Sequence, residues 1–191
     1  MIFNDILFGG SFNPITNAHV EVIKLATEWF DNDIDQFSIY VTPSIKHAFG
    51  KKSIDFDKRL KWLHMALDGI DGVVIDDEGM GKYAIDYIKE ARKLYDRDIR
   101  MNILIGSDIV PELLKWNEWN KLNRHHFLIV QRGNKLPDLT HIKKYDIIGK
   151  VSGGVSSSLV RRRAKRGASI DGLVPECIKN DVIKTYVKKG E

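Results

Sequence analysis

Two stretches of this chain combine residue types that handle phosphate. The first is Leu7-Phe8-Gly9-Gly10-Ser11-Phe12-Asn13-Pro14-Ile15-Thr16-Asn17-Ala18-His19. Ile6, Leu7 and Phe8 read as a buried strand, and Gly9-Gly10 lets the backbone turn and lie close to a ligand because no Cβ intervenes. Pro14 bars helix or central strand, so the chain must loop. Thr16 or Asn17 can cap a helix whose apolar face runs through Val22, Ile23, Ala26, Trp29 and Phe30. Strand, glycine turn and helix N-terminus together present free N–H groups and the positive end of a helix dipole to an anion. Thr16 and His19 are three apart and share a face of the first turn, which would look at the same phosphate.

The second stretch is Gly153-Gly154-Val155-Ser156-Ser157-Ser158-Leu159-Val160-Arg161. Its serines are N-cap candidates, and the N–H groups of such a turn can hold phosphate. Arg161 lies one helical turn in, where a planar guanidinium can grip phosphate oxygens in bidentate fashion. It opens the run Arg161 to Arg166, the densest basic patch in the sequence, which alone reads as a solvated helix face or a nucleic-acid contact. Gly106-Ser107-Asp108 follows an apolar run, where Asp108 suits either a ligand or a helix cap. Trp116 and Trp119 sit at helical spacing. Lys46, Lys51 and Lys52 fall in a polar segment expected to form a mobile basic loop.

The elements that must position these groups alternate. Strands are expected at Phe37–Val41, Val73–Ile75, Met101–Ile105 and Phe127–Val130 after the first, with Asp146–Ile148 as an edge strand. Helices are expected at Phe56–Leu67, with Leu60, Leu63 and Leu67 inward and Asp55 near the cap, and at Tyr83–Tyr95. Others are expected after Gly106-Ser107-Asp108, through Trp116 and Trp119 to Leu122, from Ser156 and from Pro175. Alternation of this kind predicts an α/β fold, a Rossmann-like doubly wound parallel sheet of five to six strands with helices on both faces. Ligands in such sheets bind beyond the carboxyl ends, where strand order reverses, and the glycine turn falls there.

Composition agrees. With 191 residues, 43% hydrophobic and 29% charged, the chain reads as one ordinary globular domain, residues 1–191. No apolar run approaches a membrane span and no secretion signal is visible, so a cytoplasmic protein without membrane contact is expected. The lone Cys177 excludes an internal disulfide and reads as a small buried hydrophobe.

Gly10 to His19 resembles the first signature of the nicotinamide/nicotinate mononucleotide adenylyltransferases, members of the nucleotidyltransferase superfamily, in its Thr-x-x-His form. Val155 to Arg161, roughly 140 residues on, resembles their second signature, Ile-Ser-Ser-Thr-x-x-Arg, with Val155 for Ile and Ser158 for Thr. Leu173-Val174-Pro175 before the last helix is also similar to the family, and the resemblance spans nearly the whole chain. It implies His19, Arg161 and Thr16 as catalytic residues. It implies ATP contacts at Gly9, Gly10, Ser11, Phe12, Lys51, Asp108, Ser156, Ser157 and Ser158, the part from about residue 151 completing the ATP site. Contacts to the pyridine nucleotide are implied at Asn13, Lys46, Tyr83, Trp116 and Trp119. Either tryptophan would stack on the cationic pyridine ring, a match for an indole face. Tyr83-Ala84-Ile85-Asp86 is similar to a Tyr-Thr-x-Asp segment that holds the pyridine substituent, with Ala84 lacking the hydroxyl.

The implied reaction joins ATP, with Mg²⁺, to nicotinamide or nicotinate mononucleotide, giving NAD or its deamido form plus pyrophosphate. The attacking 5′-phosphate is already an anion, so no general base is required and catalysis rests on positioning and charge neutralisation. No nucleic-acid partner is expected, and homo-oligomerisation is left open. Two rival readings are another nucleotidyltransferase, adenylyl or cytidylyl transfer to pantetheine phosphate included, and a non-catalytic nucleotide- or nucleic-acid-binding protein.

Overall fold

The structure is a computed structural model that describes residues 3–30, 36–45, 53–78, 83–94 and 99–187. Its strands are β1 Phe3–Gly10, β2 Gln36–Pro43, β3 Val73–Ile75, β4 Ile99–Gly106, β5 His126–Arg132 and β6 Tyr145–Val151. They form one sheet in the order β3-β2-β1-β4-β5-β6, every pairing parallel. Central β1 pairs Leu7 with Tyr40 of β2 on one side and with Ile103 of β4 on the other. Strand order therefore reverses between β1 and β4, directly behind the glycine turn.

Both faces of the sheet are buried. Ile6 and Phe8 of β1 enter one apolar cluster and Leu7 the other; in β5, Leu128 and Val130 oppose Phe127 and Ile129. Burial on both faces is why these strands read as continuous apolar runs. The first cluster lies under α1 Asn17–Phe30, α2 Phe56–Leu67, α5 Ser157–Lys165 and α6 Glu176–Tyr186. The second lies under α3 Ala84–Leu94, a 3-10 helix Ser107–Lys115 and α4 Trp119–Leu122.

Several expectations need correction. On α1 the inward face is Ala18, Val22, Ile23, Ala26 and Phe30, while Trp29 is 43% exposed. On α2 the fully buried positions are Arg59, Trp62, Leu63 and Leu67, with Leu60 only partly covered. Asp55 caps α2, its carboxylate accepting from the Lys58 N–H at 3.2 Å. The helix expected between Asp108 and Leu122 is two pieces. Pro111 lies inside the first, which is 3-10, and Trp116 is extended, with φ −70° and ψ 142°. Glu118 then takes a left-handed conformation, φ 52°, so Trp116 and Trp119 do not share one helix. Cys177 is exposed on α6 rather than buried, its thiol donating to the Met65 carbonyl at 3.2 Å. No described helix is long and apolar enough to cross a membrane.

Candidate active site

The carboxyl end of β1 runs into the loop from Gly9 to Thr16. At Gly10 a Cβ would stand 3.0 Å from the tip of the Phe12 ring, so only glycine fits there without displacing it. Phe12 has φ 43°, an unusual conformation for a bulky residue. Its buried ring holds it there, edge-on to Phe8 at 5.5 Å and to His19 at 5.3 Å between centroids. The Phe12 ring is thus a buried wall behind His19. The Asn13–Pro14 peptide is cis.

Helix α1 begins at Asn17, with Thr16 preceding it. Thr16 is fully buried. Its backbone N–H donates to His19 Nδ1 at 3.0 Å and its hydroxyl lies 2.8 Å from the same nitrogen. A backbone N–H can only donate, so Nδ1 must be the acceptor and the ring proton sits on Nε2. Thr16 therefore orients His19, with its hydroxyl turned to the ring. Burial first, and then the positive charge of Arg132, push the His19 pKa down to about 4. The ring is neutral at pH 7 and offers an Nε2–H donor.

The second stretch closes on the first. Ser156 caps α5 by accepting from the Leu159 N–H at 3.2 Å. The Ser157 hydroxyl donates to the Pro14 carbonyl at 2.7 Å. Arg161 donates through Nη1 to the Asn13 carbonyl at 2.7 Å and through Nη2 to the Ser158 hydroxyl at 3.1 Å. The expected ATP serines thus spend one contact each on the protein, and what the segment offers a phosphate is its backbone N–H groups and the rest of the Arg161 guanidinium. The Asn13 side chain is buried and accepts from the Tyr186 hydroxyl, so it too is a tie within the protein and not an open pyridine contact.

On the far side of the switch point, Asp108 meets Arg132 at 2.9 Å, and Arg132 also donates to the Val155 carbonyl. The Arg132 N–H donates to the Ser107 hydroxyl at 2.9 Å. A Cβ on Gly106 would lie 2.5 Å from Asp108 Oδ1 and 2.8 Å from Arg132 Cδ, so this corner closes only around glycine. Tyr83 precedes α3 and packs with Trp116 against the second apolar cluster. Trp119 lies against Phe127 at 5.6 Å and His141 at 6.0 Å, and Trp116 packs against the same apolar cluster. Lys46, Lys51 and Lys52 lie outside the described residues.

Residues 7–163 match a family model described as cytidylyltransferase-like. The chain belongs to that family. A curated relative from Fervidobacterium nodosum, named a probable nicotinate-nucleotide adenylyltransferase, is 28% identical over 206 residues, covering 95% of this chain and 90% of its own. The nicotinic acid mononucleotide adenylyltransferase of Plasmodium falciparum complexed with NaAD superposes with a TM-score of 0.81 at 22% identity. That match covers 96% of this chain and 95% of the other. The same protein complexed with APC gives 0.77, also at 22% identity and with the same coverage.

Three residues of the site escaped the sequence reading. Arg132 ends β5 as one more basic residue, and only the fold brings it to Asp108 and His19. Tyr186 is 173 positions from its partner Asn13. Arg59 sits among charged neighbours on α2 yet is 1% exposed. It donates to the carbonyls of Ser11 at 2.7 Å, Ser44 at 2.9 Å and Ile54 at 3.3 Å. Its one legible signal is position: on α2 it falls one turn before Leu63, within the buried stripe.

Proposed function

We propose that this chain is an adenylyltransferase that joins ATP to nicotinate mononucleotide, forming deamido-NAD and pyrophosphate in NAD biosynthesis. The carrying observation is the convergence of its two signatures, Arg161 on the Asn13 carbonyl and Ser157 on the Pro14 carbonyl. That contact sets a guanidinium and a helix N-terminus beside the glycine turn and His19. The names of the relatives favour a pyridine mononucleotide as acceptor, and nicotinate over nicotinamide.

In this reading an oxygen of the mononucleotide 5′-phosphate attacks the α-phosphorus of ATP. The bond from that phosphorus to the bridging oxygen breaks, and the electron pair leaves with pyrophosphate. No proton is transferred. The chain contributes donors placed where charge grows: His19 Nε2–H, the N–H groups of the Gly9–Ser11 turn, those at the start of α5, and Arg161. A neutral His19 suits a donor that must not surrender its proton. Asp108 and the exposed turn at Gly9 would lie along the nucleotide, with Trp116 and Tyr83 toward the pyridine.

Mg²⁺ supplies charge neutralisation to nucleotide phosphates. Among the described residues no group of three or more His, Cys, Asp or Glu side chains could hold a metal, and Asp108 is engaged by Arg132. That donor set does not fit a resident, protein-held ion; the ion fits better as part of MgATP.

The test is pyrophosphate release with ATP and Mg²⁺, offering nicotinate mononucleotide, nicotinamide mononucleotide and phosphopantetheine in parallel, with CTP replacing ATP in a fourth arm. A higher kcat/KM with the nicotinate form is expected. Turnover only with phosphopantetheine or only with CTP, or none at all, overturns the reading.

A further inference from the structure

A cluster of five cations gathers at the opposite end of the sheet from His19. An open cavity of about 670 Å³ is lined by Arg92, Arg100, Arg124, Lys143 and Lys144. Topology gathers them. Arg100 sits at the start of β4, Arg124 just before β5, and Lys143 and Lys144 just before β6, while Arg92 comes from the last turn of α3. The ladder pairs Asn102 with His126 and Phe127 with Tyr145, so the starts of the three strands lie side by side.

Among the described residues no carboxylate lines this cavity. Among the described residues none of the five cations joins an ion pair, whereas Lys58, Lys89, Lys93, Lys115, Lys121, Arg132 and Lys179 all do. Of the described acidic residues two positions from one of these cations, Glu90 pairs with Lys93 at 2.7 Å and Asp146 with His126 at 3.1 Å instead. Five cations around one cavity, in a chain of formal net charge +4, is a local concentration and not the average surface. Like charges held together repel, and a cavity focuses their field on whatever anion enters. His125, half-buried with Nδ1 3.3 Å from the Met101 carbonyl, and Tyr145, 40% exposed, add ring surfaces to the wall.

We propose that this cavity is a second anion site, separate from the adenylyl-transfer site, for a compact, multiply phosphorylated small molecule. Its volume falls within the roughly 300–1,000 Å³ of small-molecule sites. The starts of three strands span only about 10 Å, the reach of a di- or triphosphate, where a nucleic-acid backbone would need an extended track. Inorganic polyphosphate and a nucleoside triphosphate share that chemistry.

The test titrates the full-length protein with inorganic tripolyphosphate while following imidazole resonances by NMR. His125 and His126 report on this cavity and His19 on the other site, about 20 Å away along β4. Saturable shifts of His125 and His126 are expected. Their affinity should weaken roughly tenfold or more in Arg100→Ser/Arg124→Ser, with the His19 response and turnover unchanged. Lys143→Ser/Lys144→Ser provides an independent second variant. In a parallel titration with ATP, an added shift of the Tyr145 ring would assign the site to nucleotides, and its absence to the bare polyphosphate. The proposal is overturned if the His125 and His126 shifts do not saturate, are reproduced by NaCl at equal ionic strength, or saturate only with a single-stranded oligonucleotide. Loss of the adenylyl-transfer assignment would leave this readout unaffected.

Discussion

Thr16 places two donors, one backbone and one hydroxyl, on a single ring nitrogen of His19, and the protonation of the other nitrogen follows. Because burial and Arg132 hold the ring near pKa 4, the imidazole resonance of His19 should titrate about two and a half pH units below an ordinary histidine near 6.5. A midpoint near 6.5 by NMR would contradict the geometry. The sign for stability follows from linkage: a folded pKa below the unfolded one contributes stability that is whole above pH 6.5 and is lost as pH falls toward 4. Replacing His19 by Ala removes a preorganised donor and should lower kcat by roughly 10²–10³, with circular dichroism unchanged. Thr16→Val removes the hydroxyl contact but keeps the backbone N–H on Nδ1, so the ring proton should stay on Nε2 and turnover should fall less than in His19→Ala; proton exchange between Nδ1 and Nε2 in the nitrogen spectrum of this variant would contradict the geometry. The sequence made His19 and Arg161 legible because their types and spacing carry chemistry. It could not reveal that the hydroxyls of Thr16, Ser156 and Ser157 are consumed inside the protein, since one residue type serves a cap, a clamp or a ligand equally well.

At the scale of elements, the strands and most helices were legible from their apolar patterns because burial on both faces writes itself into sequence. Val73–Ile75 and Phe56–Leu67 match their expected bounds. Two kinds of element were not legible. The segment from Gly106 to Leu122 carries helical composition, but Pro111 and the left-handed Glu118 break it, and a Glu in that conformation has no sequence signature. The salt bridge from Glu118 to Lys89 at 2.6 Å ties the broken segment to α3. On α2, Arg59 occupies a core position because its guanidinium satisfies carbonyls from the first loop, the end of β2 and the lead into α2. Those last two flank the lysine-bearing residues 46–52. Arg59→Met would strand three acceptors in a buried place, each costing about 1–3 kcal/mol when unmet. A drop of about 3 kcal/mol in urea unfolding free energy is expected for Arg59→Met, and partial recovery for Arg59→Lys. Equal stability in the two variants would show that charge and reach do not matter there.

The molecule as a whole is fastened by its last helix to its first loop. Asn17 donates through its backbone to the Leu173 carbonyl at 3.1 Å and through its side chain to Gly172 at 2.9 Å. Trp62 of α2 donates to Asp181 of α6 at 2.8 Å. Tyr186 then reaches the Asn13 side chain, so the loop after β1 is held from below by α6, a closure that local patterning does not reveal. Burial is the largest cause that pushes the Tyr186 hydroxyl up to about 12, against the pull of Arg161 and Arg59. A folded pKa above the unfolded value near 10 gives stability that is fully present below pH 10 and is lost as pH rises toward 12. Lysines titrate in the same range, so wild type and Tyr186→Phe must be compared. Below pH 9 the variant should be less stable by about 1 kcal/mol, the worth of one hydrogen bond, and the two thermal midpoints should converge between pH 10 and 12. If the gap between them stays constant across that range, the hydroxyl of Tyr186 is not the group that ties α6 to Asn13, and the closure must rest on apolar packing alone.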